Sequence, residues 1–113
     1  MTCIFCEIIS GQASGAILYR DDEVTAFRDI HPIASTHILI VPNRHIVSIN
    51  ELEETDSNLI GHMVLVAKNL AEKEDVAEKG YRVIMNTGRD GGQSVLHLHL
   101  HLIGGKRARF TLG

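Results

Sequence analysis

Apolar and polar residues alternate over residues 96–102, within the segment 95–103, where three histidines, His97, His99 and His101, are separated by leucines. Because a β-strand points successive side chains to opposite faces, this pattern predicts a strand with three imidazoles on one face and leucines on the other. We expect the leucine face to pack on a core. Same-face neighbours in a strand lie roughly 6.5–7 Å apart, which is too far for one metal ion to bind all three imidazoles but suits an extended ligand such as a phosphate chain.

The remaining apolar positions predict two helices and four further strands. Apolar residues at helical spacing before Gly11 predict a short helix over residues 3–10. A long apolar stripe follows a capping residue at Asp56 or Ser57 and predicts a long helix that Gly80 closes. Short apolar or alternating runs predict the other strands, at residues 16–20, 24–28, 37–42 and 82–86.

This order of elements predicts an α+β fold with a five-stranded antiparallel sheet. The strands come as a hairpin, a third strand, a long helix and another hairpin, which does not fit a doubly wound parallel sheet. A chain of 113 residues with 44% hydrophobic residues is suited to one core. We therefore expect a single domain over residues 1–113.

Charge and composition exclude several classes of partner. The net charge of −3 and the lack of a basic run argue against nucleic acid as a partner. The sequence contains neither a stretch of the roughly 18–20 apolar residues that span a bilayer nor a secretory leader pattern, so we expect a soluble, cytoplasmic protein without a membrane partner. Cys3 and Cys6 are too close for a disulfide framework and have the spacing of half a zinc site.

The histidine row allows two kinds of chemistry. A His-x-His pair can bind zinc with a third ligand from elsewhere. A neutral imidazole can also attack phosphorus or carbonyl carbon when its other ring nitrogen is held as a donor. The preceding glycine-rich loop favours phosphoryl chemistry, because Gly91 and Gly92 allow close backbone approach and the N–H groups of Gln93, Ser94 and Val95 could hold phosphate oxygens.

Six segments carry a resemblance to a known family. They are His97-Leu-His-Leu-His-Leu-Ile103, Ala26-Phe-Arg-Asp-Ile30, Thr36-His-Ile-Leu-Ile-Val-Pro42, Gly80-Tyr-Arg-Val-Ile-Met-Asn86, Gly91-Gly-Gln-Ser94 and Leu102-Ile-Gly-Gly105. On these residues the chain resembles the histidine triad superfamily and, within it, the histidine triad nucleotide-binding proteins that act as purine nucleoside phosphoramidases. The resemblance extends from about Cys3 to Gly105.

The resemblance implies hydrolysis of the bond between a purine nucleoside 5′-phosphate and an amine, with no cofactor required for catalysis. His99 would attack the α-phosphorus and form a nucleotidyl-histidine that water cleaves. His101 would support the phosphate, His37 would support His101, and Ser94 would assist the leaving amine. The residues implied in binding the purine nucleoside monophosphate or phosphoramidate are Asp29 at the ribose, and Ile4, Phe5, Ile8, Phe27, Ile30, Asn86, Gly92, Gln93, Ser94 and Val95.

The resemblance further implies a homodimer with a ten-stranded sheet across its two-fold axis. It also implies that His45 and His97 complete a structural zinc site with Cys3 and Cys6. The alternative for the cysteines is two small apolar thiols in a short helix.

Two residues depart from the pattern of close relatives. His31 stands where serine is common and Ser35 where proline is common, and we expect both to tune the pocket. Three rival functions remain open at this point: hydrolysis of dinucleoside polyphosphates, nucleotide binding or protein interaction with residual catalysis, and zinc-dependent hydrolysis with the histidines as ligands.

Overall fold

A computed structural model describes residues 3–112, so residues 1, 2 and 113 of the predicted domain lie outside the described part. Cys3 caps the first helix, and Gly11 ends it in the left-handed conformation, with φ of 85°. The predicted short helix is thereby confirmed. In chain order the elements are α1 (Ile4–Ser10), β1 (Ile17–Arg20), β2 (Val24–Arg28), β3 (Thr36–Pro42), α2 (Ser57–Lys73), β4 (Tyr81–Ile84) and β5 (Leu100–Gly104).

The five strands form one sheet in the order β1-β2-β3-β5-β4, and every neighbouring pair is antiparallel. The predicted α+β class with a five-stranded antiparallel sheet is therefore confirmed. Both faces of β3 are covered, and all of Thr36–Pro42 is buried. This explains why the sequence of β3 is apolar throughout instead of alternating.

The two faces of the sheet have different partners. Helix α2 packs on one face, where Leu98, Leu100 and Leu102 join its core, each no more than 1% exposed. The leucine face predicted from the alternation is thus confirmed. Helix α1 covers part of the opposite face, where Phe5 and other apolar side chains form a smaller cluster. The imidazoles share this second face, since the ring of Phe5 packs edge-on against His97 and His99.

The histidine strand is shorter than the alternation predicted. Strand β5 begins at Leu100, so residues 95–99 precede it. Strand β4 ends at Ile84, opposite His101, and therefore offers no partner to the earlier residues. The segment is held instead by irregular contacts, among them the Leu98 N–H, which donates to the Ile46 carbonyl at 2.6 Å. Alternation predicted the extended path correctly but could not show where regular pairing starts.

Helix α2 ends earlier than predicted. It stops at Lys73 rather than at Gly80, and Asp75 follows in the left-handed conformation with φ of 60°. The carboxylate of Glu74 accepts two hydrogen bonds from the Arg28 guanidinium, at 2.8 and 2.9 Å. This pair joins the end of α2 to the end of β2. No helix within residues 3–112 is long and apolar enough to cross a bilayer.

Candidate active site

A cavity of about 230 Å³ opens on the histidine face of the sheet, next to α1. Its polar lining includes Ser94, Asp29, His99 and His101. The ring of Phe5 lies edge-on to His99, with 5.2 Å between the ring centres. The apolar lining consists of Ile4, Phe5, Ile8, Phe27, Ile30, Leu39 and Val95. An apolar hollow with a few grouped polar side chains is typical of a site for a small organic ligand.

The side chain of His99 is held with a defined ring nitrogen free. It is buried, and its Nδ1 lies 2.7 Å from the carbonyl oxygen of His97. A carbonyl oxygen only accepts, so Nδ1–H donates this bond. In the neutral imidazole the lone pair is therefore on Nε2. Since His99 lines the cavity, this nitrogen is the candidate nucleophile.

His37 and His101 form a chain of directed hydrogen bonds. The Ile33 N–H donates to Nδ1 of His37 at 3.2 Å, so a neutral His37 carries its proton on Nε2. That Nε2 lies 3.0 Å from Nδ1 of His101 and donates to it. His101 consequently carries its proton on Nε2. The Nε2–H group of His101 is thus available as a hydrogen-bond donor, in a side chain that lines the cavity.

Burial keeps both of these imidazoles neutral. Burial, together with the neighbouring His99 and His37, lowers the pKa of His101 to about 4. Burial also lowers the pKa of His37, while the Asp29 carboxylate acts in the opposite direction. Both rings are uncharged at pH 7, which agrees with the donors and acceptors assigned from the hydrogen bonds.

Asp29 combines a turn role with a place in this network. Its Oδ1 accepts the His31 N–H at 2.8 Å and so closes the turn before Pro32. Its Oδ2 lies 3.3 Å from Nε2 of His37. The carboxylate can thus accept a hydrogen bond from a ligand in the cavity, and it also lies close enough to attract a proton on Nε2 of His37.

The glycine-rich loop is braced by Gln93 and does not place this residue in the cavity. The side-chain amide of Gln93 donates to the carbonyls of Val47 and Val95, at 2.6 and 3.0 Å, and its oxygen accepts from the Gly88 N–H. Its backbone N–H donates to the Gly88 carbonyl at 3.0 Å. The expectation that this N–H holds a phosphate oxygen is therefore corrected.

Most of the other predicted nucleotide-binding residues do line the cavity. Besides Gln93, the exceptions are Asn86 and Gly92. Gly92 has a φ of 81°, a left-handed conformation that glycine adopts readily, so the glycine at this position is explained by the turn. The lining residues not predicted from the sequence are Ser14, Gly15, Arg28 and Leu39. Leu39 lies in a continuous apolar run, in which no alternation shows which side chains face the cavity.

A second cluster forms at the other end of the histidine row. Nε2 of the buried His97 donates to the Pro42 carbonyl at 2.9 Å, which leaves the Nδ1 lone pair free. This Nδ1 lies 3.4 Å from Sγ of Cys3, 3.6 Å from Sγ of Cys6 and 3.1 Å from Nδ1 of His45. Sγ of Cys6 lies 3.3 Å from the same nitrogen of His45. The structure thus brings all four predicted zinc ligands together.

The dimensions of this cluster fit a tetrahedral zinc ion. Bonds of about 2.3 Å to sulfur and about 2.0–2.1 Å to nitrogen place the ligand atoms roughly 3.3–3.8 Å apart. The four donor atoms lie within 4.8 Å of one another. The four distances given above, between the thiols and the two Nδ1 atoms and between those two nitrogens, are 3.1–3.6 Å. Two thiols and two imidazoles are also a ligand set that zinc prefers.

The fold and the site together describe a small α+β domain with a histidine-lined cavity, and comparisons with known proteins identify its family. The HIT domain family matches residues 10–108. A purine nucleoside phosphoramidase from Escherichia coli (strain K12) is 52% identical over 103 residues, which cover 91% of this chain and 87% of that protein. The chain therefore belongs to the HIT domain family.

Solved structures agree with this assignment. A HIT family hydrolase from Legionella pneumophila Philadelphia 1 is 43% identical and superposes with a TM-score of 0.91, covering 94% of this chain and 95% of that one. A histidine triad protein from Clostridium difficile is 38% identical with a TM-score of 0.94, covering 99% and 97%. The resemblance to the histidine triad superfamily is thereby confirmed.

Proposed function

We propose that this protein is a purine nucleoside 5′-phosphoramidate hydrolase that works through a nucleotidyl intermediate on His99. The hydrogen bond from Nδ1 of His99 to the His97 carbonyl is the observation that carries the proposal, because it directs the free lone pair to Nε2. The phosphoramidase activity of the E. coli relative supports the choice of substrate.

The reaction we propose has two displacements at phosphorus. Nε2 of His99 attacks the α-phosphorus, a P–N bond forms to the imidazole, and the substrate's own P–N bond breaks. Water then attacks the same phosphorus, which releases the nucleoside monophosphate and returns the neutral imidazole. Covalent catalysis of this kind replaces one difficult displacement with two easier ones.

The departing amine needs a proton, and the His37–His101 chain can supply it. The N–H on Nε2 of His101 serves as the donor, and Nδ1 of His101 takes a replacement proton from Nε2 of His37. A solvent proton that binds Nδ1 of His37, in place of the Ile33 N–H, makes this ring transiently cationic and leaves both rings neutral after the relay. Asp29, 3.3 Å from Nε2 of His37, stabilises the positive charge that arises when protons shift along the chain. In this scheme Ser94, which also lines the cavity, hydrogen-bonds the scissile group.

The rest of the cavity suits a purine nucleoside. In this proposal the base packs against the apolar wall formed with Phe5, Ile8 and Phe27, and Asp29 accepts hydrogen bonds from the two ribose hydroxyls. The imidazole of His31 is exposed and lies on the rim of this cavity. We expect His31 to tune binding there without taking part in the two displacements.

A comparison of two substrates tests the proposed activity. We expect the protein to hydrolyse adenosine 5′-phosphoramidate with a kcat/KM at least about tenfold above that for a diadenosine polyphosphate, since amine departure is what the proton chain serves. Rates of AMP release from both substrates, measured side by side, provide the check. A clearly faster reaction with the polyphosphate would assign the protein to the rival activity.

We also propose that Cys3, Cys6, His45 and His97 hold a structural zinc ion. The fit of the four donor atoms supports this site. A zinc ion bound there supplies a cross-link and no catalytic chemistry, because all four of its positions are filled by protein ligands. It would anchor the start of α1 to the segments around His45 and His97, and α1 carries part of the apolar wall of the cavity.

Metal analysis tests the zinc site. The protein purified without chelator should contain about one zinc per chain, and Cys6→Ser should lower this content several-fold because one thiolate ligand is lost. His31→Ser removes an imidazole outside the cluster and should leave the content unchanged. A wild-type protein that stays metal-free after incubation with zinc would refute the site.

We further propose a homodimer formed through the β4 edge and α2. Strand β4 is an edge strand, and Val83 is exposed on the α2 face of the sheet. Val64 and Leu65 of α2 are also exposed, so an unpaired strand edge lies beside an apolar helix surface. Joining two such edges would give a ten-stranded sheet. Sedimentation of a monomer at micromolar concentration would contradict this assembly.

A further inference from the structure

A second cavity, the basic groove, lies at the end of the sheet where β4 begins and β5 ends. In the single chain it encloses about 880 Å³ and is open to solvent. Its charged lining consists of Lys79, Arg82, Lys106, Arg107 and one carboxylate, Asp75. The local charge is thus strongly positive on a chain whose net charge is −3.

The four cations of the basic groove form no ion pair with any residue in the described part of the chain. Among the ion pairs formed by residues 3–112, none uses any of these four side chains. Four of the other basic residues do pair with carboxylates, namely Arg28, Arg44, Lys68 and Arg89. Unpaired cations that converge on a concave surface create a potential that attracts an anion.

The strand register places one wall of the basic groove, formed by Ile103 and Arg82, on the histidine face of the sheet. Ile103, which lines the groove, lies opposite Arg82 on β4 and opposite His37 on β3. Residues paired in this way share a face, so these three side chains form one row across the sheet. The adjacent row on the same face contains His101, with Ile84 and Leu39 on its two sides.

This wall of the groove therefore lies in the row of His37, one row beyond His101. Same-face rows lie roughly 6.5–7 Å apart and strands about 4.8 Å apart, so the Cα of Arg82 is about 8 Å from that of His101. The purine side of the cavity lies in the other direction, towards β2 and α1. A substituent on the departing amine can follow the sheet from His101 towards Arg82.

We propose that the basic groove is the subsite for the leaving group, and that the preferred leaving groups are amines that carry a negatively charged carboxylate or phosphate. This proposal rests on the proposed phosphoramidase function and names its substrate class. Arg82 is the cation of the groove nearest His101 along the sheet, and Lys106 and Arg107 bind the far end of the substituent.

Two phosphoramidates of equal shape and different charge test the subsite. In one, AMP is joined through phosphorus to the amino nitrogen of glutamate, and in the other to that of glutamine α-amide, which is uncharged. We expect wild-type kcat/KM to favour the glutamate compound by about tenfold at low salt, and this preference should shrink as added salt screens the groove.

Charge-removing variants test whether the groove causes the preference. Arg82→Gln and Arg107→Gln should each lower the glutamate-to-glutamine ratio at least about threefold, since each removes one cation from the groove. Lys73→Gln removes an exposed cation outside the groove and should keep the wild-type ratio. Arg107 lies in the segment after β5, so its variant tests the proposal even where Arg82→Gln disturbs the sheet.

The outcomes separate the subsite from the activity itself. Hydrolysis of adenosine 5′-phosphoramidate without any preference for the glutamate compound would overturn the subsite and leave the proposed function standing. A preference that Arg82→Gln and Arg107→Gln both leave intact would overturn it as well. If adenosine 5′-phosphoramidate is not hydrolysed at all, the proposed function itself fails. A diadenosine polyphosphate that reacts faster than the glutamate compound would assign the groove to a phosphate leaving group.

Discussion

Replacement of His99 by alanine should reduce the turnover of adenosine 5′-phosphoramidate at least a thousandfold, equivalent to about 4 kcal/mol of activation free energy. The substitution removes Nε2, the ring nitrogen that the His97 carbonyl leaves free, and with it the covalent route. Ground-state binding has other sources. Phe5, Ile8 and Asp29 are unchanged in this variant, so AMP should still bind.

Two measurements make this expectation specific to the nucleophile. Trapping with a radiolabelled substrate should yield protein-bound nucleotide in the wild type and none in His99→Ala. His31→Ala removes another imidazole from the same cavity, and its turnover should fall far less because it is exposed on the rim. His99→Ala retaining a tenth of wild-type turnover would remove His99 from the mechanism.

The histidine row serves two sites, and backbone and packing contacts join them. His97 belongs to the cysteine cluster, yet its carbonyl oxygen orients His99 in the cavity. The ring of Phe5 packs against both imidazoles, at 5.8 Å from His97 and 5.2 Å from His99 between ring centres. Anything that holds His97 in place therefore also orients the proposed nucleophile.

Local pattern predicted the elements of this fold well because each depends on nearby residues. The strand Val24–Arg28 was predicted with its observed bounds, and the helix Ile4–Ser10 ends at the glycine expected to stop it. The start of β5 could not be predicted in the same way. It depends on where pairing with β3 and β4 stops, at Ile40 and Ile84, and that is a property of the partner strands rather than of the histidine segment.

The site shows the same division between local and long-range information. Spacing alone predicted a row of three imidazoles, but their tautomers depend on Ile33, Pro42 and the His97 carbonyl. Gln93 was assigned to the phosphate by resemblance, whereas its amide binds carbonyls that include that of Val47, 46 residues away. Contacts of this kind leave no periodic signal in the sequence.

Replacement of Leu100 by alanine should lower the free energy of unfolding by about 3 kcal/mol. Leu100 is 1% exposed and lies in the core between the sheet and α2, beside Leu98 and Leu102. Its truncation removes apolar contacts and leaves a space that the surrounding strand and helix only partly fill. Urea denaturation, with the slope held common to both proteins, measures the difference.

Leu96→Ala is the matched control for this substitution. Leu96 is also in the segment that leads into β5, but it is 63% exposed, so its truncation should change the free energy of unfolding by less than about 1 kcal/mol. The contrast tests whether burial of the leucine side chain, and not simply the presence of a leucine in this segment, stabilises the strand that carries the histidines. Equal losses for the two variants would show that the buried leucine row is not what stabilises this strand.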